Sequence, residues 1–404
     1  MTDDFKTMKL GQIGKVSMCK RILKAQTSSS GDIPFYKIST FGEKATVYIS
    51  EEVYTDYVSK YSFPKKGDVL ISAAGTVGKT VIYDGEPAYF QDSNIVWIDN
   101  DEAIVDNKYL YYFYQTNPWR KSNGSTITRI YNDDLRSIDL IFPQDKSKQT
   151  AITKILSELD SKIALNNKIN AELEQTAQLI YHYWFTQFDF PSADGLPYKS
   201  SGGAMVFDEK LKREIPHNWN IKPLKEVAKI IMGQSPKGSS YNQNQEGVPL
   251  LNGPADYEDG SLVGRIYTTE PTRLCVKDDL VFCVRATIGN LTYAEKEFCL
   301  GRGVAAVRVN DTVMSELIYF ALLQEIERFK IQAGGSIIIG ITKEDLIDSN
   351  ILLPSQELIS NFHSIAKPIF DKVRVNKAEN LELVRLRDWF LPMLMTGQVK
   401  VDTN

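Results

Sequence analysis

Gly75-Thr76-Val77-Gly78 comes back as Ala286-Thr287-Ile288-Gly289, an offset of 211 residues (75 to 286), and that return decides the fold. The same offset carries Gly67-Asp68-Val69-Leu70 onto Asp278-Asp279-Leu280-Val281. It also carries Gly124-Ser125-Thr126-Ile127 onto Gly335-Ser336-Ile337-Ile338, and Asp134-Leu135 onto Asp345-Leu346. Leu140-Ile141-Phe142-Pro143 falls on Ile351-Leu352-Leu353-Pro354 in the same way. Upstream, Ile33-Pro34-Phe35-Tyr36 matches Val248-Pro249-Leu250-Leu251 with a slightly larger offset, which one small gap explains. A period of this length is too long for a solenoid unit, so the chain carries a duplicated domain.

Each copy reads as a β-rich module followed by a long helix. Val69-Leu70-Ile71 and Val81-Ile82-Tyr83 look like short strands around a glycine turn. Asn94 to Ile98 and Val304 to Val309 look like a matched pair of strands, and Tyr109 to Thr116 and Leu317 to Phe329 like short helices. Pro143 and Pro354 then punctuate.

Beyond the first proline, Ile152, Leu156, Leu159, Ile163, Asn166, Asn170, Leu173, Ala177, Ile180 and Trp184 alternate steps of four and three, the a/d stripe of a heptad helix. Moving by 210 gives Phe362, Ala366, Ile369, Val373, Asn376, Asn380, Leu383, Arg387, Phe390 and Leu394. Asparagine at a seam costs stability and fixes register, and both asparagine positions recur. The spacing therefore predicts that the two helices pair with each other, with Asn166, Asn170, Asn376 and Asn380 setting the register. The competing reading is an indifferent amphipathic helix interrupted by polar residues. Pro368 lies within the second stripe and should kink that helix or shift its start. Arg387 stands where the first stripe has Ala177, which suggests a frayed end or a contact with another protein. Residues 189–203, rich in Gly, Pro and Ser, read as a connection rather than core.

At 404 residues the chain exceeds one ordinary core, and its composition is that of a globular protein. A net charge of −4 gives no global sign of a nucleic-acid partner, although a local basic face can sit on an acidic chain. Cys19, Cys275, Cys283 and Cys299 include no C-x-x-C pair, so buried free thiols are expected and no metal site. The opening Met-Thr-Asp-Asp-Phe-Lys lacks a basic region followed by an apolar run, and no stretch approaches a membrane span, which points to a cytoplasmic protein without a membrane partner.

Two motifs invite other answers. Ala73-Ala74-Gly75-Thr76-Val77-Gly78-Lys79-Thr80 nearly matches a phosphate loop, but Val81-Ile82-Tyr83 suit a strand rather than the helix such a loop opens. The second copy has neither the lysine nor the threonine, so a β-turn is the better reading. Asn117-Pro118-Trp119 approaches the Asn-Pro-Pro-aromatic signature of amino-methyltransferases but lacks the second proline, and reads as a turn. Nothing in the chain assembles into a catalytic constellation.

A β-rich module and a long helix, then both again, resembles the specificity subunits of type I restriction–modification systems. The resemblance spans nearly the whole chain and rests on three places. One is Ile138-Asp139-Leu140-Ile141-Phe142-Pro143 followed by Gln149 and the heptad helix. Another is Tyr183-Trp184-Phe185-Thr186-Gln187-Phe188-Asp189-Phe190-Pro191, with Gly195-Leu196-Pro197-Tyr198 behind it and Ile215-Pro216-His217-Asn218-Trp219 opening the second module. The last is Leu391-Pro392-Met393-Leu394-Met395-Thr396-Gly397-Gln398-Val399.

The resemblance implies an α+β fold: two duplicated β-rich target-recognition domains, each followed by a long helix, the helices forming an antiparallel intramolecular coiled coil. The expected boundaries are 1–147 for the first domain, 148–188 for the central helix, 189–215 for the linker, 216–355 for the second domain and 356–404 for the last helix and tail. It implies a non-catalytic subunit that reads a split site in double-stranded DNA and docks two methyltransferase subunits and restriction subunits. S-adenosylmethionine, ATP and Mg would belong to those partners and no cofactor to this chain. Antiparallel helices suit two half-sites of opposite orientation, and a helix of about 36 residues spans roughly 54 Å, one to two DNA turns. A fused methyltransferase or nuclease lacks its motifs here. A coiled-coil adaptor joining two modules that bind ligands other than DNA is the remaining alternative.

If both copies share a frame and read different half-sites, bases should be read where their polar residues differ. Ala74 against Arg285, Gln91 against Arg302 and Lys79 against Asn290 are such places. Lys37, Lys121, Arg129, Arg265 and Lys330 are further candidates near predicted loops, each competing with the reading of a solvated surface charge.

Overall fold

The computed structural model describes residues 4–119, 129–258, 260–285, 288–332 and 340–401. The chain divides into two compact units, Met1–Ala164 with Asn380–Asn404, and Leu165–Glu379.

In the first unit the central strand Val69–Ser72 is buried along its whole length. Successive side chains of a strand point to opposite faces. Val69 and Ile71 accordingly enter one apolar cluster and Leu70 another. Its neighbour Ile95–Asn100 does the same, with Val96 and Ile98 on the first side and Ile95 and Trp97 on the second. Gly14–Met18 and Thr80–Ile82 complete an antiparallel four-stranded sheet in the order Gly14–Met18, Ile95–Asn100, Val69–Ser72, Thr80–Ile82. A smaller sheet runs Tyr48–Ile49, Ile33–Tyr36, Tyr89–Phe90, its last pair parallel. Helix α1 (Asn107–Gln115) packs Tyr109, Leu110 and Phe113 into the first cluster. The antiparallel pair Phe5–Lys9 and Asp139–Pro143 then hands the chain to the long helix α2 (Lys146–Tyr181).

The second unit repeats this frame. Its four-stranded sheet runs Ala228–Met232, Val304–Val309, Leu280–Cys283, Gly289–Tyr293, the same order by position. Leu280 and Phe282 again face one cluster and Val281 the other. The repetition extends to single hydrogen bonds. Lys65 N donates to the Asp68 carboxylate at 2.8 Å, and Val276 N to that of Asp279 at 2.8 Å. Tyr83 N donates to Asp68 O and Ala294 N to Asp279 O. Ile130 N donates to Ala73 O at 2.8 Å, and Ile341 N to Val284 O at 2.9 Å. Each of these pairs is 211 residues apart, so the sequence offset is a structural one. Helix α3 (Ser315–Gln332) follows this sheet, and helix α4 (Gln356–Met395) follows the strand Asn350–Leu353.

Every seam position of both stripes is buried or half-buried. Inside the second unit Asn166 donates to Glu379 at 2.8 Å, Asn376 Nδ2 donates to Asn170 Oδ1 at 2.8 Å, and Tyr181 meets the Phe362 ring at 6.1 Å. Rising numbers on α2 meet falling numbers on α4, so the helices pair antiparallel. Asn380 is half-buried on the part of α4 that belongs to the first unit.

Three expectations need correction. Pro368 neither interrupts α4 nor moves its start, because Ser364, whose carbonyl loses its helical donor, lies on an exposed face where water can serve. Arg387 is no frayed end. Within the first unit it pairs with Asp160 at 3.0 Å and with Asp388 at 2.8 Å. Residues 189–215 are more than a connection, because Phe190 and Ile215 enter the buried cluster of the second unit and Tyr198 packs against it. Phe190 stacks on Tyr198 at 4.6 Å and on Trp219 at 5.3 Å, and Met205–Asp208 pairs with Arg213–Pro216.

Candidate nucleic-acid interface

The turn 73–79 of the first unit is the centre around which the candidate side chains gather. Gly75 and Gly78 take φ of +67° and +87°, which only glycine adopts without strain, and Gly78 passes so close that a Cβ would collide with Trp119. The chain leaves this turn as the strand Thr80–Ile82, so it is a hairpin turn and not a phosphate loop. Lys79 reaches back to Glu43 at 3.1 Å. Ala74 bridges to Arg129, whose guanidinium donates to Ser93 O at 3.0 Å and lies 5.9 Å from the Tyr131 ring. Gln91 accepts from Ile38 N at 2.8 Å, which ties it to the loop of Lys37. Lys37, Lys79, Gln91 and Arg129 thus share one set of loops. Lys121 lies outside the described residues.

In the second unit Arg285 is exposed at the equivalent turn, and Val284 N donates to Gly303 O at 2.9 Å, which brings Arg302 beside it. Arg302 Nε donates to Ser235 Oγ at 3.3 Å. Asn290 has φ of +55° and is exposed. Lys330 of α3 ends next to Gly289 and pairs with Glu327 at 2.6 Å. Arg265 belongs elsewhere in the unit, held by Glu258 at 2.8 Å and the Ala255 carbonyl.

The structure revises one equivalence. Gln91 N donates to Tyr36 O at 2.9 Å, and it is Gly301 N, not Arg302, that makes the matching bond to Leu251 O at 2.7 Å. Arg302 therefore occupies a loop position of its own. Gln234 and Asn252 escaped the sequence reading. A Cβ at Gly233 would strike the Gly301 carbonyl and one at Gly303 the Asn252 carbonyl, so these loops meet backbone to backbone. The signal was there in Gly233-Gln234 and Gly301-Arg302-Gly303, polar residues set against glycines.

Charge pairing divides the candidates. Among the described residues Lys37, Arg129, Arg285 and Arg302 form no ion pair with a carboxylate, whereas Lys79, Arg265 and Lys330 each do. Cations without a fixed carboxylate are the ones a phosphate or base edge can engage at least cost.

The sequence pattern of the type I restriction modification DNA specificity domain matches residues 2–175 and again 216–382. The chain belongs to the type I restriction–modification specificity subunits. A type I restriction enzyme specificity subunit of Haemophilus influenzae is 54% identical over 182 residues, 44% of this chain and 46% of that protein. The match thus spans about half of that relative. The MjaIX specificity subunit of Methanocaldococcus jannaschii is 24% identical over 99% of this chain and 94% of that one. The crystal structure of the S subunit from M. genitalium shares the fold, with a TM-score of 0.59, 17% identity, and coverage of 98% and 97% of the two chains. No helix among the described residues is long and apolar enough to cross a membrane.

Proposed function

We propose that this specificity subunit reads a bipartite target in double-stranded DNA, one part per module. The long helices set the gap of unspecified bases between the parts. The observation that carries this reading is the repeated frame: the same hydrogen bonds recur 211 residues apart while the side chains on the turn and neighbouring loops differ. One scaffold with two sets of polar tips is what two different half-sites require.

The chain performs no methyl transfer or cleavage itself. It docks two methyltransferase subunits, which bind S-adenosylmethionine, and restriction subunits, which use ATP and Mg. Exchanging residues 1–147 for those of a related subunit should change one half-site and leave the other. Sequencing of methylated bases in cells carrying the exchange reads this directly. A swap that alters both half-sites, or methylation by the purified chain alone, refutes the proposal.

A further inference from the structure

Asp160 is a carboxylate shared by three helices of the first unit. It sits on α2, and its two oxygens take different donors. Tyr112 of α1 gives its hydroxyl to Oδ2 at 2.7 Å, and Arg387 of α4 gives Nη1 to Oδ1 at 3.0 Å. Arg387 is held in turn by Asp388, with Nη2 to Oδ1 at 2.8 Å. The Tyr112 ring is buried, while the side chains of Asp160 and Arg387 are about one third exposed. All three line an open cavity of about 400 Å³.

The second unit places an aromatic ring at the corresponding point, while its charged contact between α3 and α4 lies elsewhere, His363 against Glu316 at 2.6 Å. Along the seam, the position 210 residues beyond Asp160 is Phe370. Its ring packs on Tyr319 at 4.9 Å and Phe320 at 5.8 Å, both of α3. A joint of interlocked rings is held by many small contacts, so losing one changes little. Beside the open cavity, the Asp160 carboxylate ties α1, α2 and α4 together through two charge-assisted hydrogen bonds, added to the apolar cluster those helices share.

We propose that Asp160, bound by Tyr112 and Arg387, is a positioning residue that fixes the first recognition module on its helices. It thereby sets how strictly the enzyme enforces the gap between half-sites. This rests on the bipartite reading proposed above. The triad sits between the module and its helices, and among the described residues no candidate base-reading side chain hydrogen-bonds to it. Loosening it changes where the module falls along DNA, not which bases it prefers.

The test uses the whole complex, co-expressed with its methyltransferase partner. Targets carry gaps one base pair shorter, native and one longer, with half-site bases varied separately. Tyr112→Phe removes a hydroxyl from a buried ring, and Asp160→Asn removes the charge at nearly constant shape. Each should lower the preference for the native gap about tenfold, the equivalent of ~1.4 kcal/mol, with half-site preference unchanged. Lys108→Ala, which breaks the neighbouring α1–α2 bond to Ser157 at 2.9 Å, should leave the gap preference intact. Should Asp160→Asn fail to assemble, Tyr112→Phe decides alone. Wild-type gap discrimination in the variants overturns the inference, as does equal loss of half-site preference. Wild-type enzyme that methylates an unsplit target overturns the bipartite reading, and this inference with it.

Discussion

Asn376 and Asn170 face each other in the buried seam of the second unit, 1% and 5% exposed. Asn376 Nδ2 donates to Asn170 Oδ1 at 2.8 Å, and the Nδ2 of Asn170 has no partner among the described residues. Asn376→Ala removes the hydrogen bond and leaves the Asn170 oxygen unmatched as well. A buried polar group left without a partner costs about 1–3 kcal/mol, so the single change should destabilise this stretch by ~2 kcal/mol. Replacing both residues with Leu acts in the opposite direction. It eliminates the orphaned donor and buries two apolar side chains worth about 1.5–3 kcal/mol each, against the loss of one hydrogen bond worth ~1 kcal/mol. After an allowance for fitting two larger side chains, a net gain of ~2 kcal/mol follows. Hydrogen–deuterium exchange in the peptides covering 165–181 and 366–379 measures both. Opening should become about 30-fold more frequent in the single variant and about 30-fold rarer in the double one. The double variant should also show mixed exchange populations, because an all-apolar seam no longer distinguishes one register from its neighbours. If Asn376→Ala is neutral, or the double variant is destabilised, the pair does not hold the energy assigned to it.

Burial pushes the thiols of Cys19 and Cys275 up to about 12 and that of Cys283 to about 11, and Cys299 is also fully buried. At about pH 8 the native chain should resist a thiol reagent and react at four sites once denatured, and fast labelling of the native form would contradict this packing. Burial also lifts the carboxyls of Asp68 and Glu316 above the ordinary carboxylate range, Glu316 despite its 2.6 Å bond to His363. For each, the folded state keeps a proton that the unfolded chain has released, so its contribution to stability falls as pH rises from the ordinary carboxylate range to the raised value. Asp68→Asn with Glu316→Gln should flatten that part of the melting-temperature profile, and an unchanged slope would refute the assignment.

Duplication was legible because it needs only ordered matches at one offset, and the turn and strand residues that carry them are the ones the frame depends on. The long helices were legible because seam burial imposes a period. What escaped depended on partners remote in sequence. Nothing in the spacing marks Asp160, since Arg387 stands 227 residues away. The arm 189–215 misled because glycine and proline signal local turns, while Phe190 finds its partners Tyr198 and Trp219 only in the fold. Gln91 was matched to Arg302 because a constant offset cannot register a one-residue change in a loop, whereas the Tyr36 and Leu251 carbonyls can. Among the base-reading candidates, spacing alone could not separate a lysine occupied by Glu43 from an arginine with no carboxylate beside it.

Val69–Ser72 and Leu280–Cys283 each feed alternate residues into two separate clusters, which bears on how such a gene can change. A recombination crossover inside either strand would join half of one packed layer to half of another and disturb both clusters at once. A crossover in the short turn between Pro143 and Lys146, or in the stretch between Pro216 and Asn220, leaves each four-stranded sheet whole. New DNA preferences are therefore inherited most cheaply as intact cassettes, and lineages should diverge by abrupt replacement of whole recognition segments rather than by gradual drift along the sheet.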